Sequence, residues 1–111
     1  MQHNKILKYI LDIESINHEI EMVKKMYDSF EKFDDDFLAK RTIERHLEII
    51  GEAINNIRKI NPKIEISGVK QIVNLRNLII HSYDSVDSAI LWSIIQKDIP
   101  VLKAELIELK K

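Results

Sequence analysis

The residues best suited to chemistry lie close together, between positions 76 and 83. Arg76 supplies a permanent cation and His81 an imidazole, with the amide of Asn77 and the phenol of Tyr83 beside them. On a helix that turns about 100° per residue, Asn77 and His81 share one face, and Arg76 and Tyr83 nearly superimpose. A planar guanidinium next to a titratable imidazole could bind and protonate a phosphate. The spacing therefore predicts an anion site at the rim of a helix.

A purely structural role for the same residues is the alternative. Arg76 could pair with Asp84 or Asp87, and His81 could cap the C-terminus of its own helix, where a cation is favoured. The overall net charge of −1 argues against a nucleic-acid-binding protein, but residues 58–83 carry a local charge of +4 and the rest of the chain −5. That local field would favour a polyanion near the motif, although sorted charge is also common on helical surfaces.

Composition predicts one helical domain that spans residues 1–111. Hydrophobic residues make up 45% and charged residues 32% of the chain, with only two Gly and two Pro, which favours a helical bundle with solvated faces. Cysteine is absent, so disulfides, thiolate metal sites and a Cys nucleophile are excluded, and a reducing cytoplasm is the expected location. The first 25 residues carry charges throughout, so we expect neither a signal peptide nor a membrane span.

Apolar residues spaced three and four apart predict the first two helices. The first should run from Ile6 to Phe30, until Phe33–Asp36 ends it and one of the aspartates caps the next helix. The second should extend from Asp36 to Ile60 and stop at 61–62, an Asn-Pro pair.

Two further helices should complete an antiparallel, all-α bundle of four main helices. The third runs from Val69 to Ile80 and ends near the motif. Asp84, Ser85 or Asp87 can cap the fourth, whose apolar stripe holds Val86, Ile90, Trp92, Ile95, Ile99 and Leu102. Pro100 should kink or break this last helix, and Trp92 is expected in the core or at an interface.

No metal or cofactor is expected. The acidic run Asp34–Asp36 is typical of a capped, solvated turn, and His18 and His46 lack a second histidine at zinc-ligand spacing. No Gly-rich phosphate loop is present. The remaining candidate is a metal-free Arg/His site. If the substrate is RNA, this site suits attack of the ribose 2′-hydroxyl on the adjacent phosphodiester. One histidine in the site of each chain is few for a reaction that needs an acid and a base, which favours a two-fold dimer with both copies of His81 in one cleft.

The motif residues also carry a resemblance to a known family. Arg76 followed at once by Asn77, then His81 and Tyr83, resembles the motif of the HEPN superfamily, and more narrowly that of HepT-like toxins from HEPN/MNT toxin–antitoxin pairs. Two further stretches agree in order and spacing: Arg41–Arg45 running into Ile49–Ala53, and Leu91-Trp92 followed by Asp98–Leu102. The likeness extends from Ile6 to Leu109.

This resemblance implies a toxin that is a metal-independent endoribonuclease and a homodimer whose motif residues line a shared groove. Arg76 and His81 would be catalytic, and Asn77 and Tyr83 would bind substrate or support the site. The implied partner is an MNT-type nucleotidyltransferase antitoxin, which is linked in this family to adenylylation of the motif tyrosine, here Tyr83. The alternative function is a non-catalytic helical module that binds a nucleotidyltransferase and helps present its substrate. An RNA cleavage assay separates the two.

Overall fold

A computed structural model describes residues 2–67, 72, 74 and 87–111, and every regular element among them is helical. The elements are α1 (Gln2–Lys25), α2 (Phe30–Asp34), α3 (Phe37–Ile60), α4 (Ser88–Ser93), a π-helical segment (Ile94–Asp98) and α5 (Ile99–Leu109). Helical residues continue without a gap from α4 through α5. The prediction of an all-α fold is confirmed.

Helices α1 and α5 lie antiparallel and are joined by two ion pairs. Lys103 Nζ lies 2.9 Å from Glu21 Oε1, and Lys110 Nζ lies 2.8 Å from Glu14 Oε2. From the first ion pair to the second, the residue number increases along α5 and decreases along α1, so the two helices run in opposite directions.

Helices α1 and α3 are also antiparallel. At one end the hydroxyl of Tyr27 donates a hydrogen bond to Asp36. Further along, His46 Nε2 lies 3.6 Å from Glu19 Oε1, while its Nδ1 lies 2.8 Å from the carbonyl oxygen of Thr42. His46 is thus a packing residue between the two helices.

Helix α3 is the central element of the core. It has the predicted extent, because Asp36 caps its N-terminus by accepting a hydrogen bond from the backbone N–H of Ala39 (3.1 Å) and Asn61 follows its last residue. Its predicted apolar face is fully buried: Ile43, Leu47, Ile50, Ile54 and Ile57. Each such side chain contributes roughly 1.5–3 kcal/mol when buried, so this face is a major part of the stability of the bundle.

The prediction of one helix from Ile6 to Phe30 is wrong, because α1 ends at Lys25 and α2 begins at Phe30. Ser29 ends the periodicity: its backbone is extended and its Oγ accepts a hydrogen bond from the N–H of Lys32 (3.3 Å), which starts a new helix. Tyr27, in the connection between the two helices, and Phe30, at the start of α2, keep helical spacing in the sequence, and both pack against the same core.

The start of the last helical region was predicted correctly, but one residue of its stripe was not. Asp87 caps α4 through a 2.9 Å hydrogen bond from the N–H of Ala89 to its Oδ1. Ile90 is 43% exposed, whereas its neighbour Leu91 is fully buried. At about 100° per residue Ile90 lies about 140° round the helix from Ile95, whereas Leu91, four residues before Ile95, shares its face.

Pro100 lies in the first turn of α5, directly after the π-helical segment. The N–H of Ile99 donates to the carbonyl of Ile94, five residues earlier. In a continuous α-helix the proline ring would press against the carbonyl of Gln96, which lies inside the widened segment. The kink expected at Pro100 stays a prediction.

Candidate functional site

The four predicted site residues, Arg76, Asn77, His81 and Tyr83, lie outside the residues that the structure describes. Their roles therefore stay predictions. Of the predicted third helix, the structure describes Ile72 and Asn74, which are helical, and Ile72 is fully buried in the core. The motif thus follows an element that is anchored at Ile72.

Hydrogen bonds attach the chain to the bundle on both sides of the motif. Before it, Glu105 of α5 accepts hydrogen bonds from the N–H of Ser67 (2.8 Å) and from its hydroxyl (3.0 Å). After it, the hydroxyl of Ser88 donates to Asp34 Oδ1 at 2.5 Å. These contacts attach Ser67 and Ser88 to the bundle on either side of the motif.

An aromatic cluster supports the second of these points. The ring of Trp92 lies 5.2 Å from that of Phe33 and 6.3 Å from that of Phe30, and Phe33 also contacts Tyr27 edge-on at 5.9 Å. Phe33 is fully buried and Trp92 partly so, which confirms that Trp92 belongs to the core. Aromatic contacts of this kind add about 0.5–1.5 kcal/mol each, so α2 and α4 are held firmly together.

The acidic run before α3 has structural partners. The hydroxyl of Ser88, and to a lesser degree Lys40, hold the pKa of Asp34 below its ordinary value. The hydroxyl of Tyr27, followed by the N–H of Ala39, does the same for Asp36. This arrangement confirms the predicted helix cap.

Asp98, within the π-helical segment, begins a stretch that carries the family resemblance, although the sequence analysis assigned no role to its side chain. Its Oδ2 is buried and has no hydrogen-bond partner in the described part of the chain. Burial raises the pKa of its carboxyl above the ordinary value, and Lys97 offsets this only partly. A π-helical turn is a frequent feature of functional sites, but no pattern in one sequence could have revealed this one.

The C-terminal half of α3 presents a polar face that the sequence analysis recognised only in part. An open cavity of about 410 Å³ is lined by Glu52, Asn55, Asn56, Arg58 and Lys59. The two amides are half-buried and the three charged side chains are exposed. Their spacing of three and four places them on one side of the helix, opposite the buried isoleucines. The sequence signal was an amphipathic helix whose polar face carries cations.

The stretch that begins at Arg41 is held by local contacts on α3. Arg41 Nη1 lies 3.2 Å from Glu44 Oε2, and its guanidinium sits 5.0 Å from the ring of Phe37. Arg45 Nη1 lies 3.2 Å from Glu48 Oε1. Both arginines therefore have partners one turn away.

Across the described residues, no helix combines the length and the apolar character needed to cross a membrane.

Comparison with known proteins gives the class of this chain. The model of the ribonuclease HepT-like family matches residues 16–109. A Methanocaldococcus jannaschii protein, provisionally named an RNase, is 36% identical over 110 residues, which is 95% of this chain and 96% of the relative. A Thermococcus cleftensis protein, provisionally named ribonuclease HepT, is 33% identical over 105 residues, 89% of this chain and 93% of the relative.

A third relative, from Caldanaerobacter subterraneus and also provisionally named an RNase, is 40% identical over 91 residues, 81% of this chain and 80% of the relative. No solved structure gave a significant match. The chain therefore belongs to the HepT-like family of the HEPN superfamily, whose members are of the ribonuclease type.

Proposed function

We propose that this protein is a metal-independent endoribonuclease with Arg76 and His81 as its catalytic pair. The observation that carries the proposal is that the family match, residues 16–109, contains the whole motif from Arg76 to Tyr83. The relatives are named RNases, which supports RNA cleavage as the reaction class.

The proposed chemistry is transesterification within the RNA. The ribose 2′-oxygen forms a bond to the adjacent phosphorus, and the bond from phosphorus to the 5′-oxygen breaks. His81 takes the proton from the 2′-hydroxyl or gives one to the leaving oxygen, and Arg76 stabilises the charge on the phosphorane. Asn77 orients the imidazole or binds ribose, and Tyr83 holds a phosphate or positions His81. The products are a 2′,3′-cyclic phosphate and a free 5′-hydroxyl.

The active form in this proposal is a two-fold homodimer in which both copies of the motif face one groove. A dimer supplies the second histidine that the reaction needs. Apolar surface on the first and last helices supports it, because Leu11 and Met22 on α1, Met26 directly after α1, and Val101 and Ile107 on α5 are all between 45% and 71% exposed. Light scattering should give the mass of a dimer at micromolar concentration. A monomer that still cleaves RNA would contradict this part of the proposal.

We further propose that the protein acts as the toxin of a cytoplasmic toxin–antitoxin pair. Its antitoxin would be an MNT-type nucleotidyltransferase that transfers AMP from ATP to the phenolic oxygen of Tyr83, with release of pyrophosphate. The added phosphodiester would place an anion beside Arg76, occupy the guanidinium and repel incoming RNA.

The deciding experiment compares cleavage of a labelled RNA by matched substitutions. His81→Ala and Arg76→Ala should each abolish cleavage, while His18→Ala and Arg45→Ala, which alter exposed residues elsewhere, should cleave as the unmodified protein does. The free energy of unfolding of all four variants should lie within about 1 kcal/mol of that of the unmodified protein. An RNA with a single 2′-deoxy nucleotide at the cut site should resist cleavage.

Three results would contradict the proposal. If both motif variants cleave normally, the catalytic residues lie elsewhere. If the motif variants unfold, the residues cap a helix or form an ion pair instead. If the unmodified protein binds a nucleotidyltransferase and cleaves no RNA, it is the accessory module.

A further inference from the structure

A second feature of the polar face on α3 is its free positive charge. Arg58 and Lys59 lie in the last turn of α3, and Lys63 follows in the exposed turn after it. None of the three has an acidic partner among the described residues. Seven of the other twelve cations in that part of the chain lie within 4.0 Å of an acid: Lys32, Lys40, Arg41, Arg45, Lys103, Lys110 and Lys111. The remaining five, which lie elsewhere in the sequence, also lack an acidic partner among the described residues: Lys5, Lys8, Lys24, Lys25 and Lys97.

The sequence around these cations excludes acids. Residues 53–64 contain three basic and no acidic residues, with Glu52 and Glu65 at either end. The half-buried amides of Asn55 and Asn56 line the same cavity as Arg58 and Lys59. Cations without partners, set beside amide donors in an open cavity, suit a polyanion with regularly spaced charges.

We infer that Asn55, Asn56, Arg58, Lys59 and Lys63 form a surface that binds the phosphate backbone of the substrate RNA. This inference rests on the proposed ribonuclease function and adds a binding surface to it. The cations contact phosphates, and the amides donate hydrogen bonds to phosphate or ribose oxygens. None of the five is an aromatic residue on which a base could stack, so the surface holds RNA independently of its base sequence.

Glu52 marks the limit of this surface. It lines the same cavity and is exposed, so its carboxylate repels a phosphate that reaches that end. Removing its charge should therefore strengthen RNA binding, whereas removing the cations should weaken it. Opposite effects from neighbouring substitutions on one helix cannot come from a general loss of structure.

The test measures RNA affinity as a function of salt concentration. Binding of a labelled single-stranded RNA is followed by fluorescence anisotropy in a His81→Ala background, so that cleavage does not consume the probe. The triple variant Arg58→Gln, Lys59→Gln, Lys63→Gln is compared with a control of equal charge change, Lys5→Gln, Lys8→Gln, Lys25→Gln, in which all three residues are exposed on α1. Circular dichroism establishes that both variants are folded.

Each phosphate contact adds about 0.7 to the slope of log affinity against log salt for a single strand. Loss of three contacts should lower that slope by about 2. If the electrostatic contribution to binding vanishes near 1 M salt, this change in slope weakens binding roughly 100-fold at 0.1 M salt. The control should change the slope far less, and Glu52→Gln should bind more tightly than the unmodified sequence. In the cleaving background, the triple variant should raise KM and leave kcat nearly unchanged.

The outcomes separate this inference from the proposed function. If the triple variant and the control have the same salt dependence while the unmodified protein cleaves RNA, the binding surface is wrong and the ribonuclease stands. If the protein cleaves no RNA but binds it with a slope that depends on the three cations, the binding surface stands and the proposed function is wrong. If the protein neither binds nor cleaves RNA, both are overturned.

Discussion

Replacing Asn17 by leucine should make the protein more stable. Asn17 is only 2% exposed, and neither its Oδ1 nor its Nδ2 has a hydrogen-bond partner in the described part of the chain. A buried donor or acceptor left unsatisfied costs about 1–3 kcal/mol. Leucine has nearly the same shape, removes both polar groups and continues the buried apolar face formed by Ile13 and Ile20. We expect a gain of about 2 kcal/mol in the free energy of unfolding, after allowance for imperfect packing.

The assay is thermal and urea-induced unfolding at one fixed protein concentration, because assembly would make the midpoint depend on concentration. A gain of about 2 kcal/mol should raise Tm by roughly 8 °C in a domain of this size. The urea midpoint should rise by about 1 M with an unchanged m-value.

Two controls make the result specific. Asn4→Leu alters an exposed amide on the same helix and should stay within about 0.5 kcal/mol of the unmodified protein. Asn17→Asp buries a charge and should destabilise. If Asn17→Leu instead lowers stability by about 1 kcal/mol or more, the amide has partners in solution, a trapped water or a second subunit, and the reasoning from its unsatisfied groups is refuted.

Four further predictions follow from the structure and the proposal. Because burial raises the pKa of Asp98, the folded state holds the carboxyl proton more tightly than the unfolded state, and the contribution of Asp98 to the free energy of unfolding falls as pH rises from 3.8 through the raised pKa. Over that pH window the stability of Asp98→Asn relative to the unmodified protein, measured by urea titration, should increase. Above the window the difference should be constant. Phe33→Ala should cost about 3–5 kcal/mol, measured by urea unfolding, because it empties a fully buried position between two aromatic rings. EDTA should leave RNA cleavage intact, and loss of activity that magnesium restores would refute the Arg/His mechanism. Co-expression with the nucleotidyltransferase should increase the mass of the protein by AMP, as measured by mass spectrometry, and abolish RNA cleavage. The Tyr83→Phe variant should gain no AMP at that position and remain active. If the partner still inhibits cleavage by Tyr83→Phe completely, it acts by occluding the site.

Helix α3 could be predicted almost to the residue because every local signal agrees. An aspartate stands at its start, apolar residues recur at helical spacing along one face, and an Asn-Pro pair ends it. Tertiary packing then buries the face that the pattern selects, so local preference and the fold require the same residues.

The first helix could not be delimited in this way because hydrophobic spacing does not distinguish one helix from two that bend back onto the same core. Ser29 offered a local signal, since serine favours a helix start, but it was weaker than the run of apolar residues. The prediction for Ile90 was wrong for a different reason. Ile90 lies five residues before Ile95, about 140° away round a helix, so the stripe should have contained Leu91 in its place.

The candidate site divides into a part that sequence could predict and a part that it could not. Arg76 and His81 were found because their chemistry is distinctive and their spacing resembles a family motif. Asn55 and Asn56 were missed because half-buried amides on a helix are common, and only the cavity they share with Arg58 sets them apart.

An overall charge of −1 is compatible with an RNA substrate because seven of the fifteen cations in the described part of the chain lie within 4.0 Å of an acid and the others do not. A cation within 4.0 Å of an acid, such as Lys110 beside Glu14, contributes little to the potential felt by a phosphate farther away. The field at an approaching strand therefore depends on cations without partners. Three of these are Arg58 and Lys59 at the end of α3 and Lys63 in the turn after it. The acidic surplus elsewhere repels nucleic acid that arrives in other orientations. Net charge then limits how much RNA the protein binds without selectivity, while the arrangement of unpaired cations decides where the strand lies.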